Sequence, residues 1–387
     1  MNGHKAAFAA ALILFAATGV AAAQRGEDKP LTLALFVNGG SFKASGVDAD
    51  GTQNIGYAQL IYTTSKWGAG VTTSYAATDY LTSTSHERFT RSSMTDTAIT
   101  TFYNIQSGQM RARFGVDFGL PTGKATQTAA ELVKNIADDI SQDLLMMNSY
   151  GSGLNVAPHL ALSYGMGAWT WGLGARYLVA GSYDPMSDRN RDVFDPGDSL
   201  MLVLSAMATL NEESSLLVNL SRVIQDKDKQ DGREIFRNGD ITSVEIRYIR
   251  EWAGDISTAL VGAMRQQDKN QRIYEGTKYK VETGNANANA METYLEMAQK
   301  RSRRLTLTGV VGFKSVQANN YKKEDYLYDG GRTKIFLEPG VRWSFGEDKM
   351  LSLKARYSSI DDKADVFSPG GATYSVTNLD LGVIMSF

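Results

Sequence analysis

The chain has 387 residues, of which 43% are hydrophobic and 21% are charged, and its formal net charge is −2. The near balance of 40 basic and 42 acidic residues excludes a strongly basic nucleic-acid-binding protein, and the lack of cysteine excludes disulfides, thiolate metal sites and covalently bound haem. The mean hydropathy of −0.26 argues against a membrane protein made of helices. It remains compatible with strands that turn only every second side chain towards lipid.

Residues 1–23 have the organisation of a secretory signal peptide. Lys5 supplies a positive charge, an apolar stretch follows, and three alanines ending at Ala23 precede Gln24. A single anchoring helix is the alternative, because about 18 apolar residues nearly span a bilayer. The small residues before Gln24 favour cleavage, so we expect the mature chain, residues 24–387, to form one domain outside the cytoplasm.

Beyond residue 30 the dominant pattern is an alternation of apolar and polar side chains. The alternation is clearest in four stretches: residues 109–119, 168–179, 334–345 and 378–387. In the last of these, every second residue from Leu379 to Phe387 is apolar. This period of two predicts strands with one apolar and one polar face.

Short and long connections between these strands alternate along the chain. Short polar turns are predicted at residues 65–68, 106–109, 165–168, 210–214, 252–255, 300–303 and 345–349. Long polar loops are predicted at residues 43–53, 81–94, 120–154, 182–198, 226–239, 268–286, 317–331 and 361–372. A weakly alternating segment at residues 287–299 brings the count to sixteen strands, with fourteen as the alternative. The pattern predicts an all-β fold, a closed antiparallel transmembrane barrel.

Tryptophan and proline positions refine this prediction. All five tryptophans lie at or next to a predicted short turn: Trp67, Trp169, Trp171, Trp252 and Trp343. Because indole rings favour the membrane–water interface, they predict an aromatic girdle at the periplasmic edge. Pro158 and Pro339 fall inside predicted strands, where each removes a ladder hydrogen bond and predicts a local opening or bulge.

Taken together, the signal peptide, the alternating strands of residues 31–387 and the terminal Phe387 resemble a Gram-negative outer-membrane barrel of the general porin type. The resemblance implies insertion into outer-membrane lipid by the barrel assembly machinery, with Phe387 as the assembly signal, and by analogy with porins of this size a homotrimer. Residues 119–123, Gly-Leu-Pro-Thr-Gly, are reminiscent of small-molecule transporter barrels linked to aromatic degradation.

The longest loop, residues 120–154, corresponds to the third outside loop of general porins, which folds into the lumen. Thr128 and Glu131 form a capping box at the start of a predicted amphipathic helix over residues 127–147. Its apolar stripe is Leu132, Ile136, Ile140 and Leu144. The constriction residues predicted on this loop are Glu131, Asp138, Asp139 and Asp143. A lid over the mouth and a contact with a partner protein are the alternatives to lumen insertion.

If the apolar faces meet lipid, the lumen wall is basic. The predicted inward bases are Arg111, Arg113, Arg176, Arg247, Arg304, Lys314, Lys334, Arg342, Lys354 and Arg356. The predicted inward acids are Asp117, Glu245, Glu338 and Asp380. The excess of bases predicts mild anion preference unless the loop acids dominate the narrowest point, although a lumen must be polar in any case.

Part of the inward face is apolar: Met201, Val203, Met207, Leu217 and Val223. The loop helix could cover this patch, which is the interpretation we favour, or hydrophobic solutes could follow it.

Nothing in the mature chain predicts catalysis or a cofactor. His86 and His159 lie in no recognisable catalytic motif, and the acidic loop of residues 182–198 lacks EF-hand spacing, so neither an enzyme nor a metal site is expected. We therefore predict a passive diffusion channel for small hydrophilic solutes or ions. The alternatives are a transporter of hydrophobic or aromatic small molecules and a structural barrel or sheath that partners another protein.

Overall fold

A computed structural model describes residues 29–81, 88–123, 151–184, 193–274, 278–365 and 369–387. The predicted signal peptide, His86, the helix over residues 127–147 and the constriction residues Glu131, Asp138, Asp139 and Asp143 lie outside the described residues. The described residues contain no helix long and apolar enough to cross a membrane, a finding that says nothing of crossing by strands.

Sixteen antiparallel strands form a closed barrel. They are β1 (Leu31–Ser45), β2 (Asp50–Thr63), β3 (Trp67–Leu81), β5 (Thr97–Ser107), β6 (Met110–Leu120), β7 (Asn155–Met166), β8 (Trp169–Leu178), β10 (Ser199–Asn211), β11 (Ser214–Gln225), β14 (Ile241–Trp252), β15 (Ile256–Gln267), β18 (Ala290–Lys300), β19 (Leu305–Val316), β20 (Arg332–Gly346), β21 (Lys349–Asp362) and β22 (Ala372–Ser386). Each pairs with the next in this order, and β22 pairs with β1. Closure gives each of these sixteen strands a hydrogen-bonded neighbour on both sides.

The strand count of sixteen is confirmed, and the weakly alternating segment at residues 287–299 corresponds to β18. One additional strand, β4 (Arg88–Met94), pairs with the half of β3 that lies at the long-connection end of the barrel. β5 pairs with the half of β3 at the short-turn end. Thr95 and Asp96 separate β4 from β5, so the fourth wall strand is interrupted at this point.

Several predicted long loops contain strands of their own. A second sheet comprises β9 (Phe194–Asp195), β12 (Lys227–Gln230), β13 (Arg233–Arg237), β16 (Gln271–Tyr274) and β17 (Lys278–Val281). These strands lie in three long connections, between β8 and β10, between β11 and β14, and between β15 and β18. They form antiparallel pairs beyond the end of the barrel. The predicted loop at residues 43–53 was wrong in extent, because β1 and β2 pair as far as Lys43 and Asp50 and leave only residues 46–49. Polar composition had hidden this pairing, since a strand with water on its outer face can be polar.

The two ends of the barrel differ as expected. Short turns join the strands at one end, where Gly108 and Gly167 adopt φ of 57° and 59° that tight hairpins favour. The start of β1 and the end of β22 meet at this end, because the backbones of Leu31 and Phe387 bond to each other and Lys29 pairs with Asp348. All five tryptophans lie on strand segments near this end and are exposed, which confirms their predicted position.

Both prolines interrupt strand pairing, as predicted. Pairing of β7 with β8 runs from His159 towards the short turn, and beyond Pro158 only the bridge between Val156 and Val179 continues it. Pairing of β20 with β21 likewise skips Pro339.

Candidate pore lumen

Side chains that bridge non-adjacent strands identify the inner face of the wall. Asp117 on β6 contacts Arg176 on β8, and Arg247 on β14 contacts Glu296 on β18, each across an intervening strand. Such contacts form on the concave side of a curved sheet. The opposite face carries large exposed apolar side chains, such as Leu204 and Leu381, which suits contact with lipid.

Strand register places the predicted pore-lining residues on the inner face. These residues are Arg111, Arg113, Asp117, Arg176, Arg247, Lys314, Lys334, Glu338, Arg342, Lys354 and Arg356. Glu245 and Asp380 share this face. Arg304 does not, because it lies in the turn between β18 and β19 rather than in a strand. The prediction for Arg304 was wrong because the turn begins and ends one residue later than expected.

One charged cluster lies on β5 to β8. Oδ1 of Asp117 accepts a hydrogen bond from Thr100 at 2.7 Å. Oδ2 of the same carboxylate accepts one from Nε of Arg176 at 3.2 Å and lies 3.6 Å from Nδ1 of His159. Arg176 is almost fully buried, so Asp117 compensates a cation that water barely reaches. Arg113, beside this cluster, donates to Asn104 and lies 4.1 Å from the ring centre of Phe102.

A second cluster crosses β14 to β18. Arg247 donates to Glu296 at 2.9 Å and to the hydroxyl of Tyr294 at 3.3 Å, and Glu245 lies 3.9 Å away. The guanidinium is therefore held between two acids and a phenol, which fixes its direction along the wall.

A third cluster centres on Glu338, whose side chain is 6% exposed. Its carboxylate lies 3.3 Å from Nζ of Lys354 and 2.7 Å from Arg356. Arg356 and Lys334 each lie 5.0 Å from the ring centre of Phe336, within cation–π range. The ring can lie flat on the wall because Gly312 faces it on β19, where a Cβ would overlap it.

Sequence analysis missed several charged residues on the inner register, among them Arg265, Glu292 and Glu296. The strand register places Arg265 on the inner face of β15, opposite Ser243 of β14. It also places Glu292 and Glu296 on the inner face of β18. Alternation is weak around these residues, so the apolar pattern alone did not assign their faces. With these additions and without Arg304, the excess of bases over acids falls from six to four. The wall remains basic.

Arg111 and Arg342 differ from the clustered cations. Both are exposed, and within the described residues neither forms an ion pair. Arg111 lies on β6 and Arg342 on β20, nine strands apart along the sixteen-strand order and so nearly opposite each other in the barrel. They present uncompensated positive charge to the lumen in its short-turn half.

The predicted apolar patch does face inward. Met201, Val203 and Met207 on β10 pair with Val223, Ser221 and Leu217 on β11. Met207 is 43% exposed and the other apolar members of the patch are half-buried, so this part of the wall is not covered. The described residues contain no group of three His, Asp or Glu arranged to hold a metal ion.

No family model matches the chain, and no curated protein matches it. Solved structures with a similar fold include a bacterial polysaccharide outer membrane secretin, with 9% identity, TM-score 0.47 and coverage of 92% of this chain and 98% of that one. The toluene transporter TodX of P. putida has 10% identity, TM-score 0.42 and coverage of 94% and 91%. OccK7 of Pseudomonas aeruginosa has 12% identity, TM-score 0.42 and coverage of 94% and 100%. The solutes in these names are those of the neighbouring proteins and are not assigned to this chain.

The architecture is a closed antiparallel β-barrel that resembles the barrels of porins. Sixteen antiparallel strands close on themselves, apolar side chains cover the outside, and charged side chains line the inside. Short turns, the start of β1 and the end of β22 lie at one rim, and long connections lie at the other.

Proposed function

We propose that the chain is an outer-membrane channel through which small hydrophilic solutes and ions diffuse passively. The observation that carries this proposal is the basic inner wall, where ion pairs hold Arg176, Arg247, Lys354 and Arg356 in place and where, among the described residues, Arg111 and Arg342 have no acidic partner. Fixed charges on low-dielectric walls filter ions by sign, so we expect mild anion preference. No chemical step is needed, because selection rests on size and charge.

The proposal includes the long loop and the route to the membrane. Residues 120–154 form the constriction, with Glu131, Asp138, Asp139 and Asp143 facing the basic wall. Residues 1–23 are removed, the assembly machinery reads Phe387, and the barrel is inserted in the outer membrane as a monomer or homotrimer. The backbone hydrogen bonds between Phe387 and Leu31, which join the last strand to the first, support the proposed barrel closure.

Recordings in planar lipid bilayers test the channel. We expect discrete conductance steps and a reversal potential in a potassium chloride gradient that indicates mild anion preference. Arg111→Gln combined with Arg342→Gln should shift this potential towards cations, whereas Arg222→Gln, on the lipid-facing register of β11, should leave it unchanged. A silent but folded barrel would rule out the channel and favour a structural role. Strong cation selectivity that persists in Asp138→Asn with Asp139→Asn would contradict the basic-wall argument.

The half-exposed inward patch on β10 and β11 supports a second candidate, a channel for hydrophobic or aromatic small molecules. Its apolar members are Met201, Val203, Met207, Leu217 and Val223. Uptake of a monoaromatic hydrocarbon into barrel-containing vesicles, lowered by Met207→Asp but not by Arg342→Gln, would favour this candidate. Equal uptake by empty vesicles would exclude it.

A further inference from the structure

The short turn between β18 and β19 concentrates positive charge at one point of the short-turn rim. Its residues are Arg301, Ser302, Arg303 and Arg304, which we call the arginine turn, and Lys300 precedes them. All five residues are exposed. Three of the four basic residues in the seven short turns of the barrel lie in the arginine turn, whereas five acidic residues are spread over three other short turns. The positive charge is therefore a local feature and not a property of the whole rim.

Within the described part of the chain, no acidic side chain forms an ion pair with the arginine turn or with Lys300. Asp255, on the neighbouring short turn, accepts a hydrogen bond from the amide of Lys300 at 3.0 Å, but it does so through its backbone carbonyl. Three guanidinium groups within four residues repel one another. An anion from outside the chain would offset this repulsion.

Hydrogen bonds hold the backbone of the arginine turn in one conformation. The carbonyl of Leu305 accepts from the amides of Arg301 at 2.8 Å and of Ser302 at 3.2 Å. The hydroxyl of Ser302 accepts from the amides of Arg304 at 3.2 Å and of Leu305 at 3.1 Å. The carbonyl of Arg304 accepts from the amide of Ser344 on β20 at 2.8 Å. Because the backbone is already ordered, a ligand of the arginine turn has only side chains to immobilise.

Two tryptophans mark the depth at which the arginine turn lies. Trp343 on β20 pairs with Leu305, the first residue after the arginine turn. Trp252 on β14 lies in one row with Ile256 and Gln299, shortly before the arginine turn. Both indoles are exposed on the lipid-facing register. Because indole rings favour the membrane–water interface, the arginine turn lies just beyond the apolar band, at the depth of lipid headgroups.

We propose that the arginine turn binds the phosphate group of an anionic phospholipid in the leaflet at the short-turn rim. Guanidinium groups pair with phosphate oxygens through two parallel hydrogen bonds, and basic residues at a membrane surface attract anionic headgroups. The depth marked by Trp252 and Trp343 favours a lipid phosphate over a phosphate in solution. This proposal goes beyond the channel: it rests on the placement of the barrel in a membrane and not on the passage of solutes.

Fluorescence quenching by brominated lipids tests the proposal beside the arginine turn itself. One reporter variant keeps Trp343 and has phenylalanine at the other four tryptophan positions. It is refolded into mixed vesicles of phosphatidylcholine and phosphatidylglycerol, in which one lipid or the other carries brominated chains. We expect phosphatidylglycerol to associate near Trp343 at least about threefold more strongly than phosphatidylcholine. Arg301→Gln, Arg303→Gln and Arg304→Gln together should abolish this preference.

Two controls match the reporter. A variant that keeps only Trp169 reports on the far side of the same rim, where the adjacent turn, residues 167–168, is uncharged, so it should show no preference. Lys66→Gln in the Trp343 reporter removes a base from another short turn and should leave the preference unchanged. Heat-modifiable migration shows which variants are folded. If a reporter does not fold, the phosphatidylglycerol retained after detergent extraction by the unaltered chain and by the triple Gln variant provides the same comparison.

Equal association of the two lipids near Trp343, an equal preference near Trp169, or a preference that survives the three Gln substitutions would overturn the proposal. Suppression of the preference by inorganic phosphate at constant ionic strength would overturn the lipid assignment in favour of free phosphate. Binding of the barrel to a carboxylate-bearing cell-wall polymer, without any lipid preference and lost in the triple Gln variant, would overturn it in favour of that polymer.

The channel is judged separately, by conductance of the unaltered chain. A conducting barrel without lipid preference rejects the lipid site alone, and a silent barrel with the preference rejects the channel alone.

Discussion

The carboxylate of Asp96 accepts a hydrogen bond from the amide of Gly151 at 2.7 Å, although 55 residues separate the two in the chain. The same carboxylate accepts from the amide of Gly123 and from the amide and hydroxyl of Ser152. One side chain in the interruption between β4 and β5 therefore closes the neck of the longest connection. Hydrogen bonds to a charged acceptor contribute about 1.5–3 kcal/mol each.

Replacing this acceptor should loosen the connection. Asp96→Ala removes all four bonds, and we expect trypsin to cleave the native barrel after Lys124 and Lys134 at least about tenfold faster, because local opening becomes easier. Glu347→Gln, in a short turn at the opposite rim, is the matched control and should leave the rate unchanged. A rate for Asp96→Ala within twofold of the unaltered protein would show that the neck does not depend on this residue.

Close approach at Gly312 should be essential for the packing of Phe336. Gly312→Ala introduces a methyl group into the ring, which must move and carry the neighbouring Arg356 with it, so we expect a loss of about 1–3 kcal/mol in the free energy of unfolding. Gly309→Ala, on the same strand with open space at its Cβ, should cost little. Urea titration followed by gel mobility measures both, and equal midpoints would contradict the proposed contact.

The Glu338 cluster should show energetic coupling. Glu338→Gln leaves Lys354 and Arg356 together without their acid; because these cations are 36% and 31% exposed, we expect a loss of about 1–2 kcal/mol, below the range for fully buried pairs. Adding Arg356→Gln should recover at least about 0.5 kcal/mol in a double-mutant cycle. Glu251→Gln, exposed near the short-turn end, is the control, and strict additivity would argue against the ion pair.

Tyr183 should titrate unusually late. It lies in the outer connection between β8 and β10, where burial and the carboxylates of Asp228 and Asp96 raise the pKa of its phenol to about 12. An unfolded tyrosine titrates near about 10. The folded protein therefore binds this proton more tightly, and the resulting stabilisation is present below pH 10 and is lost as the pH rises through 12.

Ultraviolet difference titration of the unaltered protein against Tyr183→Phe isolates this phenol. We expect a midpoint near pH 12, and Tyr326→Phe, which removes an exposed tyrosine of another outer connection, provides the reference difference curve. A Tyr183 midpoint near pH 10 would show that the phenol is not held among these carboxylates.

The alternation of side chains was enough to predict strands, their number, their lipid and lumen faces and the tryptophan edge, because period two is a local property of a pleated backbone. It placed Asp117 and Arg176 on one face, but not in contact. Asp117 and Arg176 come into contact because the wall curves, which brings the inward side chains of β6 and β8 together across β7. Weak alternation hid the faces of Arg265, Glu292 and Glu296 until strand pairing assigned them.

Polar side chains gave a wrong prediction of loops near the outer rim, where the outer face of the wall meets water instead of lipid. The end of β1 and the start of β2 were predicted to belong to the loop at residues 43–53 because their outward residues are polar, yet the two strands pair as far as Lys43 and Asp50. Sequence alone determined the membrane-spanning architecture, since lipid demands an apolar outer face. Only the tertiary structure decided which cations are compensated, where Asp96 closes the long connection, and that Phe42 and Val376 are buried inside the barrel, because these depend on register and on side chains brought together from distant strands.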